Sequence, residues 1–302
     1  MTVLITGIAG HIGSATAAEF LLAGHKVIGV DNLSGKNSKS IKMLKKYFEV
    51  DFCEVDVKDY EAMLNIFKQN NIDVVFHFAA TSAENFTKTD NLLFYENNVI
   101  NLFKLLKAMQ ESNTPTLIYP SSIFAELGLD ADSPYVRTKI AAENMIEDFA
   151  DSNEGFNYGI LRYCHVAGYY SKVFLGEFEY YSIMKNAARV ACGKIELGRD
   201  FTYDEYYRFV HIDDVAEFNL KIAEELHANG ENVMVTVASK DRISVVDLIK
   251  TFEELSGNEV NLTVALKNEK INDESRFKLI EHKLKYSIKD ICKNQLDHES
   301  HF

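Results

Sequence analysis

The stretch TVLITGIAGHIG, residues 2–13, decides the fold. Val3, Leu4 and Ile5 form a short apolar run of the kind that a parallel sheet buries on both faces. The run ends directly in Gly7-Ile8-Ala9-Gly10-His11-Ile12-Gly13, and helical spacing takes over across residues 14–23. Glycines at these offsets between a strand and a helix have a mechanism. Gly7 permits the tight turn, Gly10 lets the backbone approach a pyrophosphate, and Gly13 lets the helix press against the sheet. The free N–H groups of the helix start, around His11 and Ile12, then face the phosphates. The expectation is a dinucleotide site on an α/β, Rossmann-type, doubly wound parallel sheet.

Outward from this stretch the same alternation continues. Residues 26–30, 49–55, 74–78, 116–120 and 158–163 are strand-like, with helices expected near 60–69, 98–112 and 135–151. Such alternation predicts a parallel sheet covered on both faces. A chain of 302 residues exceeds what one compact core usually fills. Residues 1–167 are expected to form the dinucleotide domain and 168–302 a smaller C-terminal α/β substrate domain, with segments around 209–238 returning to the first. A last helix, 245–255, should stop at Ser256-Gly257.

The bulk chemistry excludes several function classes. A formal charge of -13 argues against a nucleic-acid partner, and Lys36, Lys39, Lys42, Lys45 and Lys46 fit a solvated helix face. Cys53, Cys164, Cys192 and Cys292 form no CxxC pair, so neither a disulfide framework nor a thiolate metal site is expected. No apolar run reaches the roughly 18 residues of a membrane span. With a strand starting at Thr2 there is no room for a signal peptide, and the expected location is cytoplasmic.

Three features fall into register with the glycines. Asp31 closes the second strand, where a carboxylate accepts from the adenosine ribose hydroxyls and repels a 2′-phosphate, so NAD is expected over NADP. Lys36 and Lys39 pull the other way, since a lysine can reach a phosphate. Asp56-Val57 follows the third strand, placed to meet the adenine edge. Phe78-Ala79-Ala80 ends the fourth, where small residues let the backbone pass close to a dinucleotide.

Tyr135-Val136-Arg137-Thr138-Lys139 puts a phenol and an ammonium four residues apart on one helical face. Ser121-Ser122 closes the preceding strand, and Ser133-Pro134 introduces the helix. A nearby ammonium favours the phenolate over the phenol, whose ordinary pKa is about 10. Tyr135 can then act as general base toward a sugar hydroxyl. Ser122 can hydrogen-bond the same oxygen, and Lys139 can also orient the nicotinamide ribose.

Taken together, these segments resemble the extended short-chain dehydrogenase/reductase family, in its branch of NAD-dependent nucleotide-sugar epimerases and dehydratases. The resemblance rests on GIAGHIG at 7–13, DNL at 31–33, HFAA at 77–80, YENNV at 95–99, SS at 121–122, SPYVRTK at 133–139 and LRY at 161–163. FVHIDDVA at 209–216 and TVASKDRISVVDLI at 236–249 extend it more weakly. It implies catalytic roles for Ser122, Tyr135 and Lys139. Asn32 would join the cofactor set, Asn97 would lie on the pyrophosphate side of NAD, and Tyr163 would line the nicotinamide pocket. It implies a C4 epimerisation of a nucleotide sugar, a UDP-hexose, through a transient 4-keto sugar. It also implies a homodimer joined through the helices at 98–112 and 135–151, whose apolar Phe103, Leu106, Met145 and Phe149 one sheet need not bury.

Departures from the family pattern bear on the substrate. Cys164-His165 replaces a phenylalanine-asparagine pair, which makes His165 a substrate-pocket candidate. Tyr207-Arg208 replaces an arginine-aspartate pair, leaving Arg208 as a displaced candidate for phosphate contact. Ser82 stands where a lysine is expected, and no arginine-glutamate-glycine-aspartate segment occurs near 267–273. An NAD(P)-dependent reductase or dehydrogenase of a small carbonyl or sugar therefore stays open, as does a non-catalytic NAD-responsive regulator or scaffold. Ile123-Phe124-Ala125 lacks the acid and base that a dehydratase needs.

Overall fold

The computed structural model describes residues 1–35, 37–81, 91–127, 133–176, 182–194, 206–258 and 284–301. The opening stretch is a strand, β1 (Thr2–Thr6), a turn, and a helix, α1 (His11–Leu22). The alternation then runs β2 (Lys26–Asp31), α2 (Ser38–Tyr47), β3 (Asp51–Glu54), α3 (Tyr60–Gln69) and β4 (Val74–His77). A longer helical run follows, made of α4 (Leu92–Tyr95), a π-helical stretch (Glu96–Ile100) and α5 (Asn101–Ser112). Then come β5 (Thr116–Ser122), α6 (Ile123–Leu127), α7 (Pro134–Ser152) and β6 (Asn157–Tyr163). Proline at the first position of α7 has its fixed φ suited to a helix start.

β1 to β6 pair in parallel, in the order β6-β5-β4-β1-β2-β3. The order reverses at β1, which has β4 on one side and β2 on the other. In an open α/β sheet this switch point leaves a crevice at the carboxyl ends of the strands, where ligands bind. A later strand, β10 (Val233–Val237), completes a seven-stranded sheet beside β6.

The described residues divide into two compact units. The first comprises Met1–Tyr163, 170–176 and Ala216–Val235. Its core joins Leu4, Ile28, Val75, Leu117 and Ile160 of the strands to Met63 and Phe67 of α3, Leu105 and Met109 of α5, and Ile146 of α7. The second comprises the described parts of 164–169, 180–215 and 236–302. It contains β7 (His165–Ala167), α8 (Ile183–Ala191), β8 (Tyr206–Tyr207) and β9 (Phe209–His211). It also holds β11 (Ile243–Ser244), α10 (Val245–Ser256) and α11 (Ile288–His301), while α9 (Ile212–Asn229) begins in this unit and ends in the first. Met184, Ala188, Phe209, Leu248, Phe252 and Ile291 form its core. Here α10 is capped by Ser244, which accepts from Asp247 N–H, and stops at Gly257 with φ 72°.

Candidate functional site

The turn after β1 is built on contacts that only glycine allows. Gly7 has φ +69°, and a Cβ there would lie 2.6 Å from Ala79 N and 2.8 Å from Phe78 C. A Cβ on Gly13 would lie 2.3 Å from the Gly7 carbonyl oxygen. At Gly10 the nearest atom would be the same oxygen at 3.3 Å, so its other side is open. Gly10 precedes α1 in extended conformation, and no side chain caps the helix. The first-turn N–H groups near His11 and Ile12 thus lie where an anion is favoured. Sequence reasoning missed Gly29 in β2, whose Cβ would lie 2.4 Å from Ile8 Cδ1. A glycine inside a strand pattern was the available signal.

Across the switch point, the ends of β2 and β3 are tied together. Asp31 Oδ2 accepts from Ala9 N–H at 3.0 Å, and Oδ1 accepts from Leu33 N–H at 2.8 Å. Burial raises the Asp31 pKa, with both backbone bonds opposing it. Leu33 takes a left-handed φ of 56° to complete the turn. Asn32 Nδ2 donates to Asp56 Oδ2 at 2.9 Å, and Lys58 N–H donates to Asp56 Oδ1 at 3.0 Å. Burial alone would raise Asp56, but these bonds and the Lys58 charge bring its pKa below the usual value. Val57 is buried beside it. Ser40 donates from α2 to Ala9 O at 2.8 Å, a further tie that sequence reasoning missed.

On the β4 side, Phe78 N–H donates to Thr6 O at 3.0 Å and Ala79 N–H to Thr6 Oγ1 at 3.3 Å. Ala80 leads into Thr81, which two asparagines of the π-helical stretch hold. Asn97 Nδ2 donates to Thr81 Oγ1 at 2.8 Å. Asn98, fully buried, accepts from Thr81 N–H at 2.7 Å and donates to Thr81 O and Thr138 Oγ1, each at 3.1 Å. The π-helical stretch places consecutive asparagines on one task, and π-bulges often mark functional positions. Asn98 ties the strand end to α7 and was not singled out from sequence.

α7 carries Tyr135 and Lys139, and β5 ends at Ser122. The structure brings Tyr135 and Lys139 together beside β5: Lys139 Nζ donates to Pro120 O at 2.7 Å and lies 5.8 Å from the Tyr135 ring centroid. Burial lowers Lys139 to about 8, with the Glu143 charge opposing. Ser122 Oγ accepts from Phe124 N–H at 3.3 Å. One turn beyond Lys139, Glu143 accepts from Ser121 Oγ and from Arg162, whose Nε and Nη2 meet Oε1 at 3.0 Å and Oε2 at 2.6 Å. This buried fork positions the strand end next to Ser122, and sequence reasoning missed it. Tyr163 donates to Asn219 Oδ1 at 2.6 Å, and Asn219 Nδ2 donates to Thr16 Oγ1 at 2.9 Å. Burial pushes the Tyr163 phenol far above its ordinary range.

His165 and Arg208 belong to the second unit. His165 N–H donates to Arg208 O at 3.2 Å, and its ring meets Tyr207 edge-on at 4.9 Å between centroids. Arg208 Nη1 donates to Ser239 O at 2.9 Å and also to Lys240 O. Arg208 Nη1 thus holds the backbone of 239–240. Lys36, Ser82 and 267–273 lie outside the described residues. Among the described residues no group of three or more His, Cys, Asp or Glu is arranged to hold a metal ion.

Residues 3–238 match the NAD dependent epimerase/dehydratase family. The chain belongs to that family. Within it, the UDP-glucose 4-epimerase of Bacillus subtilis is 30% identical over 284 residues, covering 86% of this chain and 84% of the relative. The UDP-glucose 4-epimerase of Drosophila melanogaster is 33% identical over 295 residues, covering 87% and 84%. The solved UDP-Glc/GlcNAc 4-epimerase of Campylobacter jejuni aligns with TM-score 0.78 and 26% identity over 100% of this chain and 99% of that chain. The UDP-glucose 4-epimerase of Stenotrophomonas maltophila, solved with bound NAD and formylated UDP-arabinopyranose, shares the fold at TM-score 0.84 and 23% identity, covering 99% and 98%. The Rossmann-type fold and the family resemblance drawn from GIAGHIG and SPYVRTK are thereby borne out. Among the described residues no helix is long and apolar enough to cross a membrane.

Proposed function

We propose that this member of the NAD-dependent epimerase/dehydratase family inverts C4 of a UDP-hexose through a transient 4-keto sugar. The observation that carries this reading is the buried Lys139 ammonium beside Tyr135, at the end of the strand bearing Ser122. The turn fits a dinucleotide: Gly10 leaves its outer side open, no side chain caps α1, and Asp31 is held at the end of β2 by Ala9 N–H.

In this reading Gly7, Gly10, His11, Ile12 and Gly13 hold the pyrophosphate, and Asn97 lies on the same side. Asp31 and Asn32 take the adenosine ribose, Asp56 and Val57 the adenine, and Phe78, Ala79 and Ala80 the passage toward the nicotinamide, which Tyr163 lines. NAD, when bound, would supply hydride acceptor and donor chemistry at C4 of the sugar. Tyr135 Oη takes the proton of the 4-hydroxyl and gives it back to the 4-keto oxygen. Ser122 hydrogen-bonds that oxygen at both stages. Lys139 favours the phenolate by its charge and orients the nicotinamide ribose. His165 and Arg208 are the substrate-side residues of this reading, with Arg208 limited by its hold on 239–240.

The chain is read as a cytoplasmic homodimer. Leu92, Leu93, Ile100 and Phe103 are exposed along one helical run, with Leu92 at 75% and Phe103 at 52%. Leu106 is buried, and Met145 and Phe149 pack on the first unit's own core, so the apolar face lies nearer α4 than the spacing of 98–112 implied. The test is purified protein supplied with UDP-glucose, UDP-galactose, their N-acetyl forms and UDP-glucuronate. Interconversion of C4 epimers without net change in NAD redox state supports the assignment; a reduced product formed at the expense of reduced cofactor overturns it.

A further inference from the structure

We propose that Tyr119 is a positioning residue whose ring face holds the Lys139 ammonium in place and in its charged form. The inference rests on the assignment of Tyr135 and Lys139 as the proton-handling pair. Tyr119 lies in β5 and is 1% exposed. Lys139 Nζ sits 4.6 Å from the centroid of its ring, closer than the 5.8 Å to Tyr135. The ammonium is thus flanked by two rings, with Pro120 O as its hydrogen-bond acceptor at 2.7 Å.

What the position uses is the ring and not the hydroxyl. The Tyr119 hydroxyl is buried and makes no hydrogen bond among the described residues. A buried tyrosine ordinarily finds a partner for that group. Burial pushes the Tyr119 phenol upward, so it stays neutral and offers the cation no negative charge. Aliphatic packing alone would be served by leucine, which has no quadrupole to offer a cation.

The remaining groups around Lys139 leave this contact a clear function. From its own helix, Glu143 attracts the ammonium, but its carboxylate is shared with Arg162 of β6 and Ser121 of β5. Glu126 of α6 reaches Arg162 at 3.9 Å. From β4, His77 is driven by burial down to about 3 and is neutral at working pH. Burial is the largest influence on Lys139 and acts against its charge. A desolvated cation–π contact is worth about tenfold or more in such an equilibrium.

The test compares Tyr119→Phe with Tyr119→Leu. Lysine labelled at 13Cε is titrated by NMR, with the Lys139 signal identified by its loss in Lys139→Met. Tyr119→Phe should titrate like wild type and keep the wild-type pH dependence of turnover. Tyr119→Leu should titrate roughly one pH unit lower, lose about fivefold in kcat near pH 8, and carry its alkaline limb down with it. A merely structural role would lower the melting temperature of the Leu variant without moving the Lys139 titration. Wild-type titration in Tyr119→Leu, or a Tyr119→Phe variant that behaves like Leu, would overturn the inference. If Tyr119→Leu does not fold, Tyr119→Met replaces it, since methionine also lacks a ring face. Full activity in Tyr135→Phe would sink the assignment of the base, whereas the NMR titration judges Tyr119 separately.

Discussion

Gly13 stands so close to Gly7 that a methyl group on it would lie 2.3 Å from the Gly7 carbonyl oxygen. The obstacle is backbone and cannot swing aside. Gly13→Ala should therefore displace α1 from the turn, at a cost of about 1–3 kcal/mol from overpacking. The expected outcome is a lower melting temperature together with loss of co-purifying NAD. Retention of full NAD content would show that the turn tolerates the shift.

Tyr135→Phe removes one hydroxyl and leaves the packing of α7 unchanged. General acid–base groups contribute about 100- to 10,000-fold, so turnover should fall at least about 100-fold with NAD content preserved. Lys139→Met should lower turnover and NAD content together. Steady-state rates and nucleotide stoichiometry on the same preparations distinguish the two effects.

Arg162→Met would leave the Glu143 carboxylate buried without its fork. Breaking a buried pair from one side costs about 3–5 kcal/mol. The Glu143 side chain is 5% exposed and that of Arg162 is 17%, so little solvent is at hand to compensate. Urea denaturation should show that loss. Arg162→Met with Glu143→Gln together should recover part of it, because the stranded charge is gone.

His77 is buried, hydrogen-bonded to Thr6 Oγ1 at 2.8 Å, and lowered to about 3 by burial and the Lys139 charge. The unfolded chain takes up a proton here near the ordinary histidine value of about 6.5. Between those values the unfolded state binds more protons, so this contribution to stability is whole above about 6.5 and fades as the pH falls toward about 3. His77→Asn should lose stability less steeply than wild type as the pH drops from 7 to 4.5. Equal slopes in urea melts across that range would contradict the assignment.

Phe103→Glu places a charge on the exposed apolar run of α4 and α5. Sedimentation at micromolar concentration should give monomer for the variant and dimer for wild type. A monomeric wild type would overturn the assembly proposed for this face.

Much of the first unit was legible because its signals are local. The glycine offsets at 7–13, the span of α3, and the stop at Ser256-Gly257 all follow from backbone rules acting over a few residues. What escaped depends on neighbours distant in sequence. Asn98 gains its meaning from Thr81 and Thr138, and Ser121 from Glu143 and Arg162. The π-helical stretch has no compositional signature, so helical spacing at 98–112 could not show which apolar side chains face outward. Leu106 went to the core and Ile100 to the surface for that reason.

The place of β10 at the sheet edge governs the order in which the protein can be completed during synthesis. Every residue assigned to proton transfer has been synthesised once Tyr163 has been made. The strand beside β6 does not exist until Val237 follows, and neither does the helix whose Leu226 rests over Gly159. Until then β6 is an open edge, and unpaired edges invite other chains to pair with them. A nascent chain stopped at Tyr163 should aggregate, and not survive as a soluble half-enzyme. Chaperone dependence should therefore be greatest while residues 164–237 are being made.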